Sequence, residues 1–578
     1  MIGFGYPARA KRLSGTALKY AQHSEFDRAL RRLNEAVDVV ASCREYLAAA
    51  EAARYVLLAA ATIGQNAEEP VQEATYKLYR RIAFVLSDTR VEINTMLALH
   101  EASKGANFSS VLRENQGRTL PETIEPLLRE VWQSEQDIPG PMLEPEMPYG
   151  AETVAFFYAG SHEAEDVSDP YTRHRNLQRK ADQEITNHLY ADVEASQLSL
   201  PDVEDIQAAI PADAVLISLF LGESHHPSQP RPLAAVQGLA VTREGIDFRT
   251  STGVNAPGGL LELRRGDQVL MASPAIAEVD VLRHAVLEDP LHRRLAPEAE
   301  DRLKGEAHAL CAGFLRSTTR WLSEGKRHLI IWPNGPLHFV PFHLLMHDGW
   351  TVADDWTVTQ TANLMPFRAK QEPNEARQAK DLIVFAFAGG RAEHGLPAAE
   401  GLEAHAEALV ATVGAGVAVT GSAATPRRLI AMARGARYLH IAAHGAHNEW
   451  APWFQCVFLS PDENSDGRLF AYDVLHADLR GVELVTLSSC ESALGRFDMN
   501  DNLRGIPAAF LAAGAAAVVG CSWPVHPAVA LDFFGSLYRH LSLGMDRVSA
   551  FRAAQVDARA HHPAYRDWGA FVYVGDWT

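Results

Sequence analysis

Two reactive side chains, an imidazole and a thiol, each follow an apolar run that is typical of a buried β-strand. His444 follows the run from Tyr438 to Ala443, and Cys490 follows the run from Val482 to Leu487 and two serines. Ligands bind at the carboxyl ends of the strands in an open parallel sheet, so neighbouring strands of this kind would bring the imidazole and the thiol together. A histidine beside a thiol supplies the base, or stabilises the thiolate, that a cysteine hydrolase needs.

The backbone beside these two residues suits the same chemistry. Gly445 follows His444, and glycine lets the main chain approach a reacting carbonyl group closely. Cys490 stands where a strand turns toward a helix, whose N-terminus stabilises negative charge. The main-chain N–H groups of Gly445 and Cys490 are therefore our candidates for an oxyanion hole. The alternative role of such residues is packing, which is the role we assign to His440 in the same run as His444.

The composition indicates a folded chain with several domains. Its 578 residues are enough for two to four domains, and 47% of them are hydrophobic, which supplies a large core. A net charge of −19 disfavours a nucleic-acid binder that relies on a basic surface. Five scattered cysteines without CxxC spacing predict neither a disulfide framework nor a zinc site. Without a signal-peptide pattern or an apolar run of about 20 residues, we expect a cytoplasmic protein that does not enter a membrane.

Hydrophobic periodicity divides the chain into four regions. Residues 1–135 have a helical period, and within them residues 15–40 resemble one tetratricopeptide repeat, although no clear second copy follows and an irregular helical bundle fits equally well. Residues 136–198 predict a proline-rich linker and a polar helical connection. Strands then alternate with helices, which predicts a mostly parallel sheet covered on both faces. We divide this part into an N-terminal half, residues 199–380, and a catalytic half, residues 381–578.

The apolar runs also predict individual elements. A hairpin is expected around Thr242 to Gly245, and a long helix from about Pro297 to Glu324. The predicted strands are Ala214 to Leu221, Leu329 to Trp332, Leu382 to Ala388, Tyr438 to Ala443, Val482 to Leu487, Ala516 to Cys521 and Phe571 to Val574.

A series of motifs around the histidine and the cysteine is similar to the CHAT family, the caspase-like domains that are associated with tetratricopeptide repeats and related to separases. The likeness extends over most of residues 199–578 and keeps the family's order. Its segments are Leu200 to Pro211, His328 to Phe342, Leu396 to Glu400, Ala423 to Thr425, His440 to Gly445, Leu487 to Ser492, Phe510 to Ala515, Ser522 to Val525 and Trp568 to Trp577.

The resemblance implies a caspase-like α/β sandwich, a mostly parallel sheet flanked by helices, which an α-helical N-terminal domain precedes here. It implies that His444 and Cys490 form the dyad of a cysteine endopeptidase that works through a thioester, with no metal and no organic cofactor. The implied partners are a protein substrate, for example a gasdermin-like pore former in bacterial antiviral defence or programmed cell death, and a protein or ligand activator that engages the helical N-terminal region. We expect no direct nucleic-acid partner. The alternative is a catalytically silent scaffold that serves protein interaction.

Two departures from the family pattern concern the substrate. Family members commonly carry a Gly-Glu-Gly element where this chain has Asn500-Asp501-Asn502, and an aspartate pair where it has His526-Pro527. Asp501, Trp523 and His526 are candidate substrate-binding residues, as is Ser488, which leaves the primary pocket neutral and open. We therefore predict cleavage that is not restricted to Arg or Lys. We also expect the site to stay inactive until a partner reorders residues 494–503.

Overall fold

The structure is a computed structural model. It describes residues 5–43, 46–65, 71, 74–75, 77–82, 100, 104, 120–138, 169–190, 203–224, 233–251, 261–265, 268–272, 320–347, 350–362, 380–448, 451–489, 492–493, 496–497 and 503–577.

The N-terminal part is helical, as its 3.6-residue period predicts. Helices α1 to α5 cover Gly5–Gln22, Phe26–Ala41, Tyr46–Gln65, Glu125–Gln136 and Pro170–Tyr190. In α1 and α2, Ala17, Ala29 and Leu33 are fully buried. They share one hydrophobic cluster with the strand residues Val215 and Ile331, so the first helices and the sheet contribute to a common core.

The rest of the described chain alternates strands with helices. Helices α6 to α14 cover Val203–Ala209, Val352–Asp355, Leu402–Val413, Pro426–Ala433, Ala471–Val474, Ile506–Ala512, Pro527–Ser542, Arg547–His561 and Tyr565–Trp568. Strands β1 to β10 are Ala214–Ser224, Leu233–Val241, Ile246–Ser251, Leu261–Arg265, Gln268–Ala272, His328–Trp332, Met346–His347, Trp350–Thr351, Thr357–Gln360 and Lys380–Ala386. Strands β11 to β20 are Gly416–Thr420, Ala436–Ala442, His444–Ala446, Cys456–Phe458, Arg468–Phe470, Leu484–Ser488, Arg496–Phe497, Leu503–Arg504, Ala517–Cys521 and Phe571–Gly575.

Within the described residues, thirteen strands form one sheet in the order β11-β10-β12-β16-β19-β20-β9-β6-β1-β2-β5-β4, with β3 paired to β2. The neighbours from β11 to β19 run parallel, and so do β9, β6 and β1. The predicted fold class, a mostly parallel sheet flanked by helices and preceded by a helical region, is thereby confirmed.

Strand β20 is an exception to the parallel pattern, because it runs antiparallel to β19. The two long helices α12 and α13 lie between these strands in sequence and pack against each other. A single helix would return the chain to the edge of the sheet where β19 begins, and the next strand would then run parallel. Two consecutive long helices bring the chain back to the edge where β19 ends, so β20 runs antiparallel. Alternation of strands and helices in the sequence does not reveal this difference.

Side-chain alternation along the strands builds a hydrophobic layer on each face of the catalytic half. In β10, Ile383 and Phe385 belong to the layer that includes α5, α9 and α11. Leu382 and Val384 belong to the opposite layer, which includes α8, α12 and α13. This two-sided burial explains why the strands read as continuous apolar runs.

Other predicted elements can be compared with the structure. The hairpin is confirmed, since β2 and β3 pair at Val241 and Ile246 and Thr242 N–H donates to the Gly245 carbonyl over 2.9 Å. Most of the predicted helix from Pro297 to Glu324 lies outside the described residues, which resume at residue 320. Among the helices that the structure describes, none combines the length and the apolar character needed to cross a bilayer.

The packing role predicted for His440 is confirmed, because its side chain is fully buried in β12. Its Nδ1 lies 2.7 Å from Thr486 Oγ1, which in turn lies 2.6 Å from the Tyr538 hydroxyl. The ring of His405 lies 6.2 Å away, centroid to centroid. Burial, and to a lesser extent the charge of His405, hold the pKa of His440 well below 6.5. Burial also lowers the pKa of His405 to about 4, so both imidazoles are neutral at physiological pH.

The depressed pKa of His440 makes stability depend on pH. Below about pH 6.5 the unfolded chain binds a proton that the folded chain does not, so the wild type loses stability as the pH falls, by up to about 1.4 kcal/mol per pH unit. The variant His440→Asn keeps a polar group near Thr486 and cannot titrate. We expect its stability deficit relative to the wild type in urea unfolding to shrink between pH 7 and pH 5. A deficit that is constant over this range would contradict the prediction.

Candidate active site

The parallel pairing of β12 with β16 brings the ends of the two apolar runs to the same level. Ala442 in β12 is the register partner of Ser488 in β16, and Ala443 N–H donates to the Ser488 carbonyl over 3.4 Å. In the sequence, His444 follows Ala442 by two residues, and Cys490 follows Ser488 by two. Cys490 lies outside the described residues, so its part in a dyad stays a prediction.

The chain on either side of Cys490 is anchored to neighbouring strands. Ser492 Oγ lies 2.8 Å from the Ser489 carbonyl oxygen and accepts the Cys521 N–H over 3.2 Å. Ala493 N–H donates to the Cys521 carbonyl over 2.9 Å. A Cβ atom on Gly520 would lie only 2.8 Å from Ser492 Oγ, so glycine at this position allows the close approach. Ser492 and Ala493 are therefore held against β19.

His444 begins β13, the first strand of a small antiparallel sheet with the order β13-β14-β15. Its ring is half-buried, and its Nε2 lies 2.7 Å from the carbonyl oxygen of Pro397. A carbonyl oxygen only accepts, so Nε2 carries the hydrogen and donates it. In the neutral imidazole, Nδ1 then holds the lone pair. A histidine that is oriented through one nitrogen and can take a proton on the other has the geometry of a general base.

The role of Pro397 could not be read from the sequence, because a main-chain carbonyl has no side-chain signature. The motif Leu396 to Glu400 marked the segment without indicating what it does. Arg391 and Leu396 exchange two main-chain hydrogen bonds of 2.8 and 2.9 Å, which close a tight turn that leads directly into Pro397. We call residues 391–398 the acceptor loop. Gly390 lies flat against this loop, since a Cβ atom there would be 2.9 Å from the Ala398 nitrogen. The acceptor for His444 is thus fixed by backbone packing.

Arg391 connects this acceptor loop to the small sheet that carries His444. Its buried guanidinium donates from one nitrogen to the carbonyl oxygens of Leu459 and Asp466, over 2.7 and 2.6 Å. These two residues belong to the connection between β14 and β15. One side chain therefore links both ends of the His444–Pro397 hydrogen bond, which limits their relative movement.

Two other predicted residues are neighbours of His444 and Cys490 in the sequence. Gly445 lies in β13, directly after His444, and pairs with Val457 of β14. Ser488 ends β16 and is buried, with 8% of its surface exposed. Their roles in an oxyanion hole and in a primary pocket remain predictions. The candidate Asp501 lies outside the described residues. Among the residues that are described, no group of three or more His, Cys, Asp or Glu could hold a metal ion.

Trp523 and His526 occupy different environments. The Trp523 indole is 2% exposed, packs in the layer of α12 and α13, and donates through Nε1 to the Arg566 carbonyl over 2.7 Å. The indole thus supports this segment from inside, and the predicted part of Trp523 in substrate binding stays a prediction. His526 is exposed and caps α12, where its Nδ1 accepts the Ala528 N–H over 3.2 Å. Its ring lies at the surface, where a bound peptide could reach it.

Comparisons with known proteins point to one family. Residues 285–576, just over half of the chain, match the model of the CHAT domain. A stretch of 112 residues is 37% identical to Tetratricopeptide repeat protein 28 of Mus musculus and covers 18% of this chain and 4% of that protein. The match therefore spans only a small part of this curated relative.

Two solved structures share distant similarity with the chain. The Arg specific cysteine proteinase gingipain R of Porphyromonas gingivalis has 9% identity and a TM-score of 0.34, over 52% of this chain and 74% of that one. The Saccharomyces cerevisiae separase–securin complex has 10% identity and a TM-score of 0.39, over 99% of this chain and 53% of that one. A likeness this distant assigns no residue role.

The fit of Gly390 against the Pro397 loop can be tested by substitution. Gly390→Ala places a methyl group within about 3 Å of main-chain atoms, so we expect the Pro397 carbonyl to shift and His444 to lose its orientation. Alkylation of Cys490 by iodoacetamide at pH 7 should slow by about tenfold or more. Gly535→Ala is the control, because no atom lies within 4 Å of the added methyl group. Equal alkylation rates in both variants and the wild type would contradict the prediction.

Proposed function

The chain belongs to the CHAT domain family, and from this premise we propose that it is a caspase-like cysteine endopeptidase with His444 and Cys490 as its dyad. The observation that carries the proposal is the hydrogen bond from His444 Nε2 to the Pro397 carbonyl, because it leaves Nδ1 to accept a proton. The register that pairs Ala442 with Ser488 supports a position for Cys490 next to that nitrogen.

In the proposed reaction, His444 Nδ1 takes the proton of the Cys490 thiol, and the thiolate sulfur forms a bond with the carbonyl carbon of the scissile peptide. The main-chain N–H groups of Gly445 and Cys490 stabilise the oxyanion. The C–N bond then breaks, and His444 delivers its proton to the leaving amine. Water hydrolyses the remaining thioester with His444 as base, which releases the acid and regenerates the thiol.

The group that accepts the His444 hydrogen bond, the neutral Pro397 carbonyl, suits a thiol nucleophile better than a hydroxyl nucleophile. A carbonyl oxygen orients the ring and stabilises the imidazolium by one hydrogen bond, but it contributes no negative charge. A serine hydroxyl needs a strong base, which a buried aspartate supports in serine proteases. A thiol ionises near pH 8.5, so a histidine oriented by Pro397 is a sufficient base.

We further propose that the substrate is a dedicated protein and that its cleavage is not restricted to basic residues. Ser488 gives the end of β16 a neutral side chain, and His526 stands where the family often carries an aspartate. Asp501 is the remaining candidate for a charge that recognises the substrate. Trp523, which donates from the core to the Arg566 carbonyl, is a candidate to support the segment that ends at His526.

The proposal includes control by a partner. An endopeptidase that is always active would damage its host, so we propose a cytoplasmic enzyme that a protein or ligand activates through the helical N-terminal region. We also propose a role in bacterial antiviral defence or programmed cell death, with a gasdermin-like substrate, because the family context suggests it.

The dyad is tested by removing each member. We expect Cys490→Ala and His444→Ala each to lower peptide cleavage under activating conditions by about a thousandfold or more. Cys490→Ala should also lose labelling by a peptidyl thiol trap, and His444→Ala should be labelled much more slowly. His561→Ala is the control, because this exposed histidine lies on α13 and contacts only its own helix among the described contacts. Cleavage that persists in either dyad variant would refute the assignment, and absence of both cleavage and labelling in the wild type would favour the scaffold.

Specificity is tested at His526. The variant His526→Asp keeps the cap of α12, because aspartate is a favoured N-cap residue, and it adds a negative charge to the surface. We expect kcat/KM for peptides with Arg before the scissile bond to rise by about tenfold relative to Ala peptides, through a charge-assisted contact. His561→Asp provides the same charge change elsewhere. If both variants change the Arg-to-Ala ratio equally, His526 does not face the substrate.

A further inference from the structure

Helix α5 presents a buried polar stripe to the catalytic half. Gln178, Asp182 and Thr186 are spaced one turn apart on one face, and their exposed fractions are 6%, 3% and 3%. Asp182 Oδ1 accepts the main-chain N–H of Trp453 over 2.8 Å, and Thr186 Oγ1 accepts the indole N–H of the same residue over 2.9 Å. Asn448 donates to Gln178 Oε1 over 3.1 Å. A helix that reads as a polar connection is therefore seated beside the segment that follows His444.

The second carboxylate oxygen of Asp182 pairs with Arg504, the last residue of β18, at 2.8 Å. The next residue, Gly505, has φ +99° and packs against the amide of Gln455. Gln455 accepts the Ile506 N–H over 3.1 Å and donates from Nε2 to His447 Nδ1 over 2.7 Å. Asp182 thus holds the chain at the end of β18. Gln455 connects this point to His447, which lies three residues after His444.

A second buried ion pair reaches the small sheet directly. Arg468 of β15 is 9% exposed and meets both carboxylate oxygens of Glu135 in α4, at 2.7 and 2.8 Å. Its guanidinium also lies 4.9 Å from the centre of the Trp132 ring. In the register of this sheet, Arg468 is opposite Phe458, and Phe458 is opposite His444. Arg468, Phe458 and His444 therefore form one row across the small sheet. Glu135 binds the residue at one end of this row, and His444 lies at the other end.

We infer that Glu135 and Asp182 are positioning residues for His444, and that the α4–α5 pair is the brace through which the N-terminal region regulates the site. This inference rests on the proposed function. The bidentate Glu135–Arg468 pair has a defined geometry, and Asp182 bridges Arg504 and the Trp453 N–H with its two oxygens. Together these contacts from adjoining helices fix the small sheet and β18 relative to one another. A partner that displaces this brace would change the orientation of His444 without touching it.

Local exchange of main-chain hydrogens tests the brace without relying on peptidase activity. The full chain carries Cys490→Ala, so that the readout is independent of cleavage, and then Glu135→Gln or Asp182→Asn. We expect exchange in peptides that cover residues 444–458 and 503–512 to accelerate by about tenfold or more, with no change in α12 and α13. Glu125→Gln and Glu184→Gln are matched controls, since these exposed carboxylates lie on the same two helices and should change nothing.

A structural role alone would give a different pattern. Uniform acceleration, including α12 and α13, or no acceleration at all, would overturn the inference. If Asp182→Asn destabilises the whole chain because the Arg504 guanidinium loses its contact with Asp182, the double variant Asp182→Asn with Arg504→Gln removes that charge. In the double variant we expect global stability to recover while exchange at residues 444–458 stays fast, and recovery of both would count against positioning.

Activity in a chain with an intact Cys490 separates this inference from the proposed function. We expect Asp182→Asn to lower kcat by about tenfold with little change in KM, since positioning of the base affects the chemical step. If the wild type cleaves nothing and yet the exchange pattern is as expected, the peptidase proposal fails and the brace stands. If cleavage occurs and Asp182→Asn leaves kcat unchanged, the brace fails and the peptidase proposal stands.

Discussion

The parallel pairing of β12 with β16 is the constraint on which the rest of the site depends. A slip of one residue in either strand would turn every side chain to the other face of the sheet. Both faces are occupied by tightly packed layers, with Leu439 and Val485 on one side and Tyr438 and Leu484 on the other. Such a slip would disrupt the packing of both layers. The packing of the core therefore determines that Ala442 pairs with Ser488. The core thus determines where the two apolar runs end.

The strand register does not by itself orient the His444 imidazole. A neutral main-chain carbonyl and buried charges with oxygen partners do so. The ring of His444 is held by the Pro397 carbonyl oxygen, and Pro397 directly follows a turn that main-chain hydrogen bonds between Arg391 and Leu396 close. The guanidiniums of Arg391, Arg468 and Arg504 are each directed at carbonyl or carboxylate oxygens from remote parts of the chain. Buried charges with such partners are strongly directional, and loss of one partner is costly because the other charge remains buried. The site is thus supported by a network that extends into the N-terminal helices.

The sequence predicts the elements whose signal is local and misses the features that depend on distant partners. Strands such as β12 and β16 were predicted because continuous apolar runs are characteristic of a sheet buried on both faces. The packing of His440 was also predictable from its place within such a run. The Pro397 carbonyl was not, since it belongs to the main chain, and α5 was read as a polar connection because its buried stripe is satisfied by Trp453 and residues still farther along the chain. The antiparallel direction of β20 depends on how α12 and α13 pack, which no local pattern encodes.

In the proposed site, His444 Nδ1 and the Cys490 thiol meet at the ends of two parallel strands. A crystal structure of the chain after reaction with a peptidyl chloromethyl ketone would show whether they do. We expect one covalent bond, from Cys490 Sγ to the inhibitor, with His444 Nδ1 within hydrogen-bond reach of the reacting atoms and Nε2 donating to the Pro397 carbonyl. Modification of a different thiol, or a His444 ring turned so that Nδ1 faces Pro397, would contradict it.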